Sequence, residues 1–98
     1  MQIEWLPTAL RDLKRLRDFL QSKSPGSARR AAAKIRKLAS ALKIHPGLGV
    51  GVEDLPGFYD VVIKFGIRNY VLRYHLHDET IYIVALRHGR EDGFSGEE

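Results

Sequence analysis

The segment from Gly57 to Arg90, GFYDVVIKFGIRNYVLRYHLHDETIYIVALRHGR, decides the fold of this 98-residue chain. It holds three runs rich in Val, Ile, Tyr and Phe, which are residue types that pack well on the half-buried surface of a strand. The runs are separated by Gly66 and by residues 77–79. Such short breaks favour antiparallel neighbours, because parallel strands need a long crossover between them. The segment therefore predicts a three-stranded antiparallel meander.

The second and third runs have different patterns of apolar residues. In the second run, apolar and polar side chains alternate with the two-residue period of a strand. The apolar set is Tyr70, Leu72, Tyr74 and Leu76. We expect Tyr70 and Tyr74 to pack in the core with their hydroxyls near its rim. The third run, residues 81–86, is apolar at every position, which predicts a strand inside the sheet with both faces covered.

The chain begins with a candidate strand and a first helix. Residues 2–6 could add an edge strand to the meander, with Ile3 and Trp5 on one side. Pro7 suits the first position of a helix, where its missing N–H costs nothing. Apolar residues then follow at helical spacing, and charged residues occupy the opposite side.

A second helix is marked by its own start and stop signals. Ser24 followed by Pro25 is typical of a helix start, which leaves residues 21–24 as a short link and favours an antiparallel helical hairpin. The segment His45-Pro46-Gly47 ends this helix. Residues 47–57 carry four glycines, and we interpret them as a flexible linker to the meander rather than a phosphate-binding loop, which would follow a strand and open a helix.

These elements predict an α+β fold. An N-terminal strand precedes an antiparallel helical hairpin, which packs on one face of a mostly antiparallel sheet of three to four strands. The length suits one domain spanning residues 1–98. Residues 91–98 are polar, acidic and rich in glycine, and we expect them to form a flexible tail.

The charge of the chain is divided between its halves. Residues 1–45 carry eleven Lys or Arg against three Asp or Glu, whereas residues 46–98 carry five against nine. The basic first half suits an acidic partner, either protein or nucleic acid, although a solvated helix face would give the same pattern. Tyr59 and Tyr82 could stack on bases, but no row of lysines accompanies them on their strands. We therefore expect no direct sequence-specific binding of nucleic acid.

Several classes of protein are not indicated. The chain has no cysteine, which leaves neither a disulfide framework nor a thiolate metal site. His75 and His77 share one face of a strand, but no third metal ligand is evident, so we expect no metal and no cofactor. No apolar run is long enough to span a membrane and Met1 opens no signal peptide, so we expect a cytoplasmic protein without membrane contact.

Short motifs spread along nearly the whole chain point to a family. They are Ile3-Glu4-Trp5 with Ala9 and Asp12-Leu13, His45-Pro46-Gly47, YVLRY at 70–74, and IVALRHGR at 83–90. In this order and spacing they resemble the RelE/ParE superfamily of bacterial toxins, the toxic halves of type II toxin–antitoxin pairs. The resemblance implies a toxin that arrests growth, often within a plasmid-stabilisation module, and that is held inactive by an antitoxin.

The superfamily contains two mechanisms. RelE-like members are ribonucleases that cut mRNA on the ribosome, and they carry Lys and Arg along the open sheet face with a late Tyr or His. Their chemistry needs a base for the ribose 2′-OH, cations for the charged transition state and an acid for the leaving oxygen. ParE-like members poison DNA gyrase and need no catalytic residues. The residues at the nuclease positions should therefore separate the two branches.

The nuclease set is incomplete in this chain. Val62 and Val71 stand where many ribonuclease members have basic residues, and Phe94 lacks the hydroxyl of a late tyrosine. Lys64 and Arg90 could still supply cations, and a base could come from His88. The resemblance is therefore closer to the ParE branch, and we assign no catalytic residue.

The resemblance implies a ParDE-like toxin that inhibits DNA gyrase and forms a hetero-oligomer with a cognate ParD-like antitoxin. The alternatives are a RelE-like endoribonuclease and a degenerate homologue that only binds antitoxin. The candidates for toxicity or target binding are Lys64, Arg87, His88 and Arg90. The candidates for antitoxin binding are Arg11, Lys14 and Arg15. Arg87 could instead have a structural role, paired with an acidic side chain such as Asp60.

Overall fold

The structure, a computed structural model, describes residues 1–89. The helices are α1 (Pro7–Lys23) and α2 (Pro25–Ile44), followed by a 3-10 turn at Pro46–Leu48. The strands are β1 (Gln2–Trp5), β2 (Val50–Gly51), β3 (Phe58–Phe65), β4 (Arg68–His77) and β5 (Thr80–His88). They form one sheet in the order β1-β5-β4-β3-β2, in which only the β1–β5 pair is parallel. This confirms the α+β fold. The predicted flexible tail at 91–98 lies outside the described residues.

The helical hairpin has a tighter junction than the sequence predicts. Pro7 and Pro25 open the two helices as expected, and the Ser27 amide donates to Ser24 Oγ at 3.4 Å. The expected link at residues 21–24 is wrong, because α1 continues to Lys23 and the junction is Ser24 alone. The extended backbone of Ser24 ends one helix, with its amide donating to the Leu20 carbonyl at 2.8 Å, and caps the next.

The meander is confirmed, and β1 joins it as an edge strand. β3 pairs with β4, and β4 with β5, both antiparallel. β1 runs parallel to β5, with Ile3 opposite Ile81 and Trp5 opposite Ile83. This parallel pair is possible because the helical hairpin and the meander between the two strands supply the long connection that parallel strands require.

The sheet has five strands rather than the three to four expected. The extra strand is β2, whose Val50 and Gly51 pair with Asp60 and Tyr59 of β3. Two residues are too few to show a strand period, so no local pattern of residues predicts this element. The expectation of a flexible linker at 47–57 is wrong for the first half of that segment, because the 3-10 turn and β2 give it a regular structure.

The third apolar run forms the interior strand β5, but only one of its faces is covered by helices. Ile81 and Ile83 are fully buried, whereas Tyr82 and Val84 are half-buried. Val84 is a β-bulge, because Arg73 pairs with Ala85 while the next residue of β4, Tyr74, pairs with Ile83. The expectation of two covered faces is therefore wrong, and the apolar run includes the extra residue of the bulge.

The main core lies between the helical hairpin and the sheet. Its fully buried larger side chains are Ile35, Leu42, Tyr70, Leu72, Tyr74, Ile81, Ile83 and Leu86. A smaller cluster of Leu20, Ala28 and Ala31 holds the helix junction, with Phe65 packed against it from β3. The alanines let the two helices approach closely. The other face of the sheet is left without a helix within residues 1–89.

Candidate functional site

The strand register shows which side chains share the face of the sheet opposite the helices. On β4, residues 70, 72 and 74 are buried under the helices, so the alternating residues 71, 73 and 75 lie on the other side. Across from these residues stand Val62, Asp60 and Phe58 of β3. We call this surface the open face.

An ion pair occupies the middle of the open face. Arg73 Nε and Nη2 donate to the two carboxylate oxygens of Asp60 at 2.8 and 3.0 Å. The two side chains are only 20% and 28% exposed, and this paired, bidentate geometry is among the stronger hydrogen-bonding arrangements in proteins. The alternative in which Arg87 pairs with Asp60 is not what the structure shows, because Arg73 lies directly opposite Asp60 in the register and reaches both of its oxygens.

The next row across the open face is apolar on two strands and cationic on the third. Val62 lies opposite Val71, and Val71 lies opposite Arg87. Val62 is 56% exposed, so a long cationic side chain at this position would have reached solvent. These are the two positions at which the sequence predicts an incomplete nuclease set. The register adds that they are direct neighbours, and that Arg87 is the cation beside them.

Arg87 and His88 lie on opposite faces of the sheet. The strand was expected to end at Leu86, but β5 continues to His88, so the two side chains alternate. The ring of His88 meets the ring of Tyr70 edge-on, with centroids 5.5 Å apart, on the helix side. The Arg87 Nη1 donates to the His88 carbonyl at 3.2 Å. Two candidates for toxicity or target binding, Arg87 and His88, therefore lie on different faces of the sheet. A third, Arg90, lies outside the described residues.

Lys64 lies at the free edge of β3. It stands opposite Asn69, one row along the open face from Val62 and Val71. On the side away from β4, β2 pairs only with residues 59 and 60, so no strand borders Lys64 there within residues 1–89. Lys64 consequently also borders a groove that leads to Lys34 and Lys37 of α2.

Aromatic and imidazole rings form the other end of the open face. Phe58 and His75 stack with centroids 4.2 Å apart, and His77 follows His75 at 5.8 Å. His77 Nε2 lies 3.2 Å from an oxygen of Asp78 in the β4–β5 turn. No group of three or more metal-ligating side chains occurs in residues 1–89. The rings of Phe58, His75 and His77 pack against one another in sequence along this end of the face.

The three antitoxin-binding candidates lie along the exposed side of α1. Two of them have partners within the helix: Lys14 Nζ lies 2.7 Å from Asp18, and Arg15 Nη1 lies 3.1 Å from Asp12. These pairs reduce the net charge of the surface that Arg11, Lys14 and Arg15 present. The cations of α2 have no such acidic neighbours in sequence, because no Asp or Glu occurs between Asp18 and Glu53.

A buried tyrosine on the helix side of the sheet holds the connector between α2 and β3. Tyr74 donates its hydroxyl proton to the Pro46 carbonyl at 2.6 Å and accepts from the Gly49 amide at 2.9 Å. Burial raises the pKa of Tyr74, the Gly49 amide opposes this shift and the nearby Tyr59 adds to it. Sequence reasoning placed Tyr74 in the core but missed this role, because its partners are far away along the chain.

The architecture described above, a helical hairpin on one face of a mostly antiparallel sheet, defines the class of protein. It matches a solved structure described as the chromosomal ParDE TA system from P. aeruginosa, with a TM-score of 0.72 at 20% identity over 90% of this chain and 95% of that chain. Residues 3–93 also match the family model described as the ParE toxin of the type II toxin–antitoxin system parDE. The chain belongs to this family, within the RelE/ParE superfamily, and membership implies an antitoxin partner.

Two relatives from Caulobacter vibrioides carry the name of the other branch. Toxin RelE3 is 33% identical over 89 residues, covering 91% of this chain and 95% of the relative. Toxin RelE2 is 32% identical over 88 residues, covering 89% of this chain and 93% of the relative.

Within residues 1–89, no helix is long and apolar enough to cross a membrane.

Proposed function

We propose that this protein is the toxin of a ParDE-like module and that it inhibits DNA gyrase in the cytoplasm until its antitoxin binds. The observation that carries the proposal is the row in which Val62 and Val71 face each other across β3 and β4. A ribonuclease needs cations at the scissile phosphate, and two valines cannot stabilise developing negative charge. Gyrase inhibition by binding requires no such set of cations.

The position of the histidine supports the same proposal. A general base must lie within hydrogen-bonding reach of the proton that it removes, and near the cations that stabilise the phosphate. His88 packs against Tyr70 on the helix side, whereas Arg87 stands beside Val71 on the open face. Arg73, in the centre of that face, has both its Nε and Nη2 on Asp60. His88 and Arg87 are therefore not presented on the same face of the sheet.

The test compares two activities of one purified protein. We expect the toxin to inhibit supercoiling of relaxed plasmid by gyrase and to leave linear DNA, the product of a trapped cleavage complex. We expect no cleavage of mRNA on translating ribosomes in the same preparation. Ribosome-dependent cuts at defined codons, with gyrase supercoiling unaffected, would contradict the proposal. Relaxation by topoisomerase I serves as a control for general effects on DNA.

A RelE-like endoribonuclease is the second candidate, and the names of the two Caulobacter relatives favour it. The candidate predicts mRNA cleavage that depends on Lys64 and Arg87, two cations that the described part of β3 and β5 places on the open face. Lys64→Ala and Arg87→Ala should then each abolish the cuts without lowering the melting temperature. A protein that neither inhibits gyrase nor cuts mRNA, yet still binds its antitoxin, would be a degenerate homologue.

We further propose that the antitoxin contributes an acidic, partly apolar segment that lies over the helical hairpin and reaches the edge of the sheet. A groove of about 430 Å³ runs between the helices and β1, with Leu10 on it 51% exposed and Arg36 and Lys43 on its rim. Removing the charges of Arg11, Lys14 and Arg15 by alanine should weaken antitoxin binding and reduce its salt dependence. If the variant bound the antitoxin as tightly as the unchanged protein at both low and high salt, these charges would not contribute to antitoxin binding.

A further inference from the structure

A groove in two separate parts follows the seam between α2 and the free edge of β3. Its two parts have volumes of about 350 and 420 Å³. The cations that line it are Lys23, Arg30, Lys34, Lys37, Lys64 and Arg68. We call these six residues and the space between them the basic groove. Among residues 1–89, no acidic side chain lines either part.

The helix contributes its cations in a single line. Arg30, Lys34 and Lys37 are spaced by four and three residues, so they project from one side of α2. All three are exposed, and they flank the buried stripe of Ala31, Ile35 and Ala39. A second line on the other flank, Arg29 and Arg36, faces Arg17 of α1 instead. The structure thus divides the charge of one helix between two separate surfaces.

The far end of the basic groove is held rigidly. Lys23 Nζ lies 5.2 Å and the Arg68 guanidinium carbon 5.5 Å from the centroid of the Phe19 ring. Such cation–π contacts connect the end of α1 to the start of β4. Arg30 Nη2 donates to Ser27 Oγ at 3.3 Å, which fixes a third cation beside them. The cations here are therefore positioned before any partner binds.

The six cations of the groove outnumber its exposed large apolar side chains among residues 1–89. Leu20 and Ile63 on its floor are only 3% and 5% exposed, whereas Ile67 and Val62 are 91% and 56% exposed, one in each part of the groove. Phe19, the ring at its end, has Lys23 and Arg68 over it. Single-stranded nucleic acids are bound largely by stacking bases on aromatic rings. Interfaces with duplex DNA are more polar and much more positive than protein–protein interfaces.

We infer that the basic groove binds the phosphate backbone of duplex DNA without reading its sequence. The side of α2 from Ser27 to Ala41 is about 21 Å long, and a duplex carries about one negative charge per 1.7 Å. Enough phosphates therefore pass the groove to meet its six cations. This inference goes beyond gyrase inhibition, because it concerns contact with DNA itself. A toxin held on the DNA close to its enzyme would reach that enzyme at a higher local concentration.

The experiment measures the binding of the antitoxin-free protein, made by cell-free synthesis, to a fluorescein-labelled random-sequence DNA duplex across a range of salt concentrations. For six phosphate contacts, the slope of log K against log salt should be about −5. The triple variant Arg30→Ala, Lys34→Ala, Lys37→Ala should have a slope of about −3 and bind roughly tenfold or more weakly. Alanine at these exposed helical positions maintains the helix, which circular dichroism and thermal melting will check.

A matched control removes the same charge from the other flank. Arg17→Ala, Arg29→Ala and Arg36→Ala together should leave the slope near that of the unchanged protein. Equal losses in both triple variants would overturn the inference, because binding would then depend only on net charge. Tighter binding to single-stranded RNA than to the duplex, or equally effective competition by polyglutamate, would overturn it in favour of an RNA or an acidic protein partner. A groove variant that loses DNA binding yet inhibits gyrase would leave the proposed function intact.

Discussion

Tyr70 and Tyr74 lie on the same strand, but their hydroxyls differ in hydrogen bonding and therefore in what they contribute to the stability of the fold. Both are fully buried on β4, and burial raises the pKa of each hydroxyl. The Tyr74 hydroxyl has two backbone partners, at Pro46 and Gly49. The Tyr70 hydroxyl has no hydrogen-bond partner among residues 1–89. An unsatisfied buried polar group costs free energy that a satisfied one does not.

The difference predicts opposite effects for the same change. Tyr74→Phe should lower the free energy of unfolding by about 1–3 kcal/mol, because it removes two hydrogen bonds and loosens the connector. Tyr70→Phe should be neutral or slightly stabilising, because it removes a buried hydroxyl that has no hydrogen-bond partner among residues 1–89. Urea denaturation of both variants measures this directly, and each serves as the control for the other. Equal losses in the two would contradict the assignment.

The raised pKa values also predict alkaline instability. Since each folded-state pKa lies above the unfolded value of about 10, the folded protein holds these protons more tightly. The resulting stability is fully present below about pH 10 and is lost as pH rises through the folded-state values. The free energy of unfolding should therefore fall above about pH 10. In the Tyr74→Phe variant it should fall less steeply with pH than in the unchanged protein. A fall that is equally steep in the variant would assign it to other groups.

At the scale of elements, side chains of α1 form hydrogen bonds with the backbone of β5 at and near its bulge. Asp12 Oδ2 accepts from the Leu86 amide at 3.0 Å, and Thr8 Oγ1 donates to the Val84 carbonyl at 2.9 Å. A bulge interrupts the ladder between strands and leaves backbone groups to be satisfied in another way. Here the first helix supplies two partners, Thr8 from its first turn and Asp12 from its second. The bulge and the position of α1 thus depend on each other.

This fastening predicts a selective loss of stability. Asp12→Ala should cost about 1–3 kcal/mol, because the amide of Leu86 would lose its acceptor in a part-buried site. Asp12→Asn keeps an acceptor oxygen and should cost less. The matched control is Asp18→Ala, whose pair with Lys14 is exposed and should contribute under about 1 kcal/mol. Urea midpoints that fall equally for Asp12→Ala and Asp18→Ala would show that the contact with β5 is unimportant.

At the scale of the whole molecule, the sheet separates the scaffold from the surfaces that partners can reach. The helices and the buried face of the sheet form one core. The open face presents Arg87 beside Val71, and the basic groove lies at the opposite edge of the meander. Exposed substitutions usually change stability by roughly half a kcal/mol or less. Changes on these surfaces should therefore alter function without unfolding the chain.

That separation predicts two routes to a non-toxic protein. Arg87→Ala combined with Arg90→Ala should give a protein that folds, still binds its antitoxin and has lost most of its toxicity. Ile35→Ala should also lose toxicity, but through a core cavity that costs about 2–5 kcal/mol. Thermal melting of each purified variant, paired with growth after its induction, distinguishes the routes. A folded double variant that kills at the normal rate would move the toxic surface to the helical hairpin.

The sequence by itself determined the elements of this protein and their class. The apolar periods of the strands, the prolines that open the helices and Ser24 between them are local signals, and each specifies structure within a few residues. The family resemblance also rested on short local motifs. The alternation of Arg87 and His88 could have been found in the same way, had the strand been extended by two residues.

Only the tertiary structure decided which side chains meet. Asp60 and Arg73 are 13 residues apart, and their pairing follows from the register of β3 against β4. Lys34 and Lys64 line one groove because α2 packs against β3. Neither arrangement has a local signal, because register and packing angle are set by how whole faces bury their apolar area. The strands could be predicted from neighbouring residues, whereas the open face and the basic groove required the assembled core.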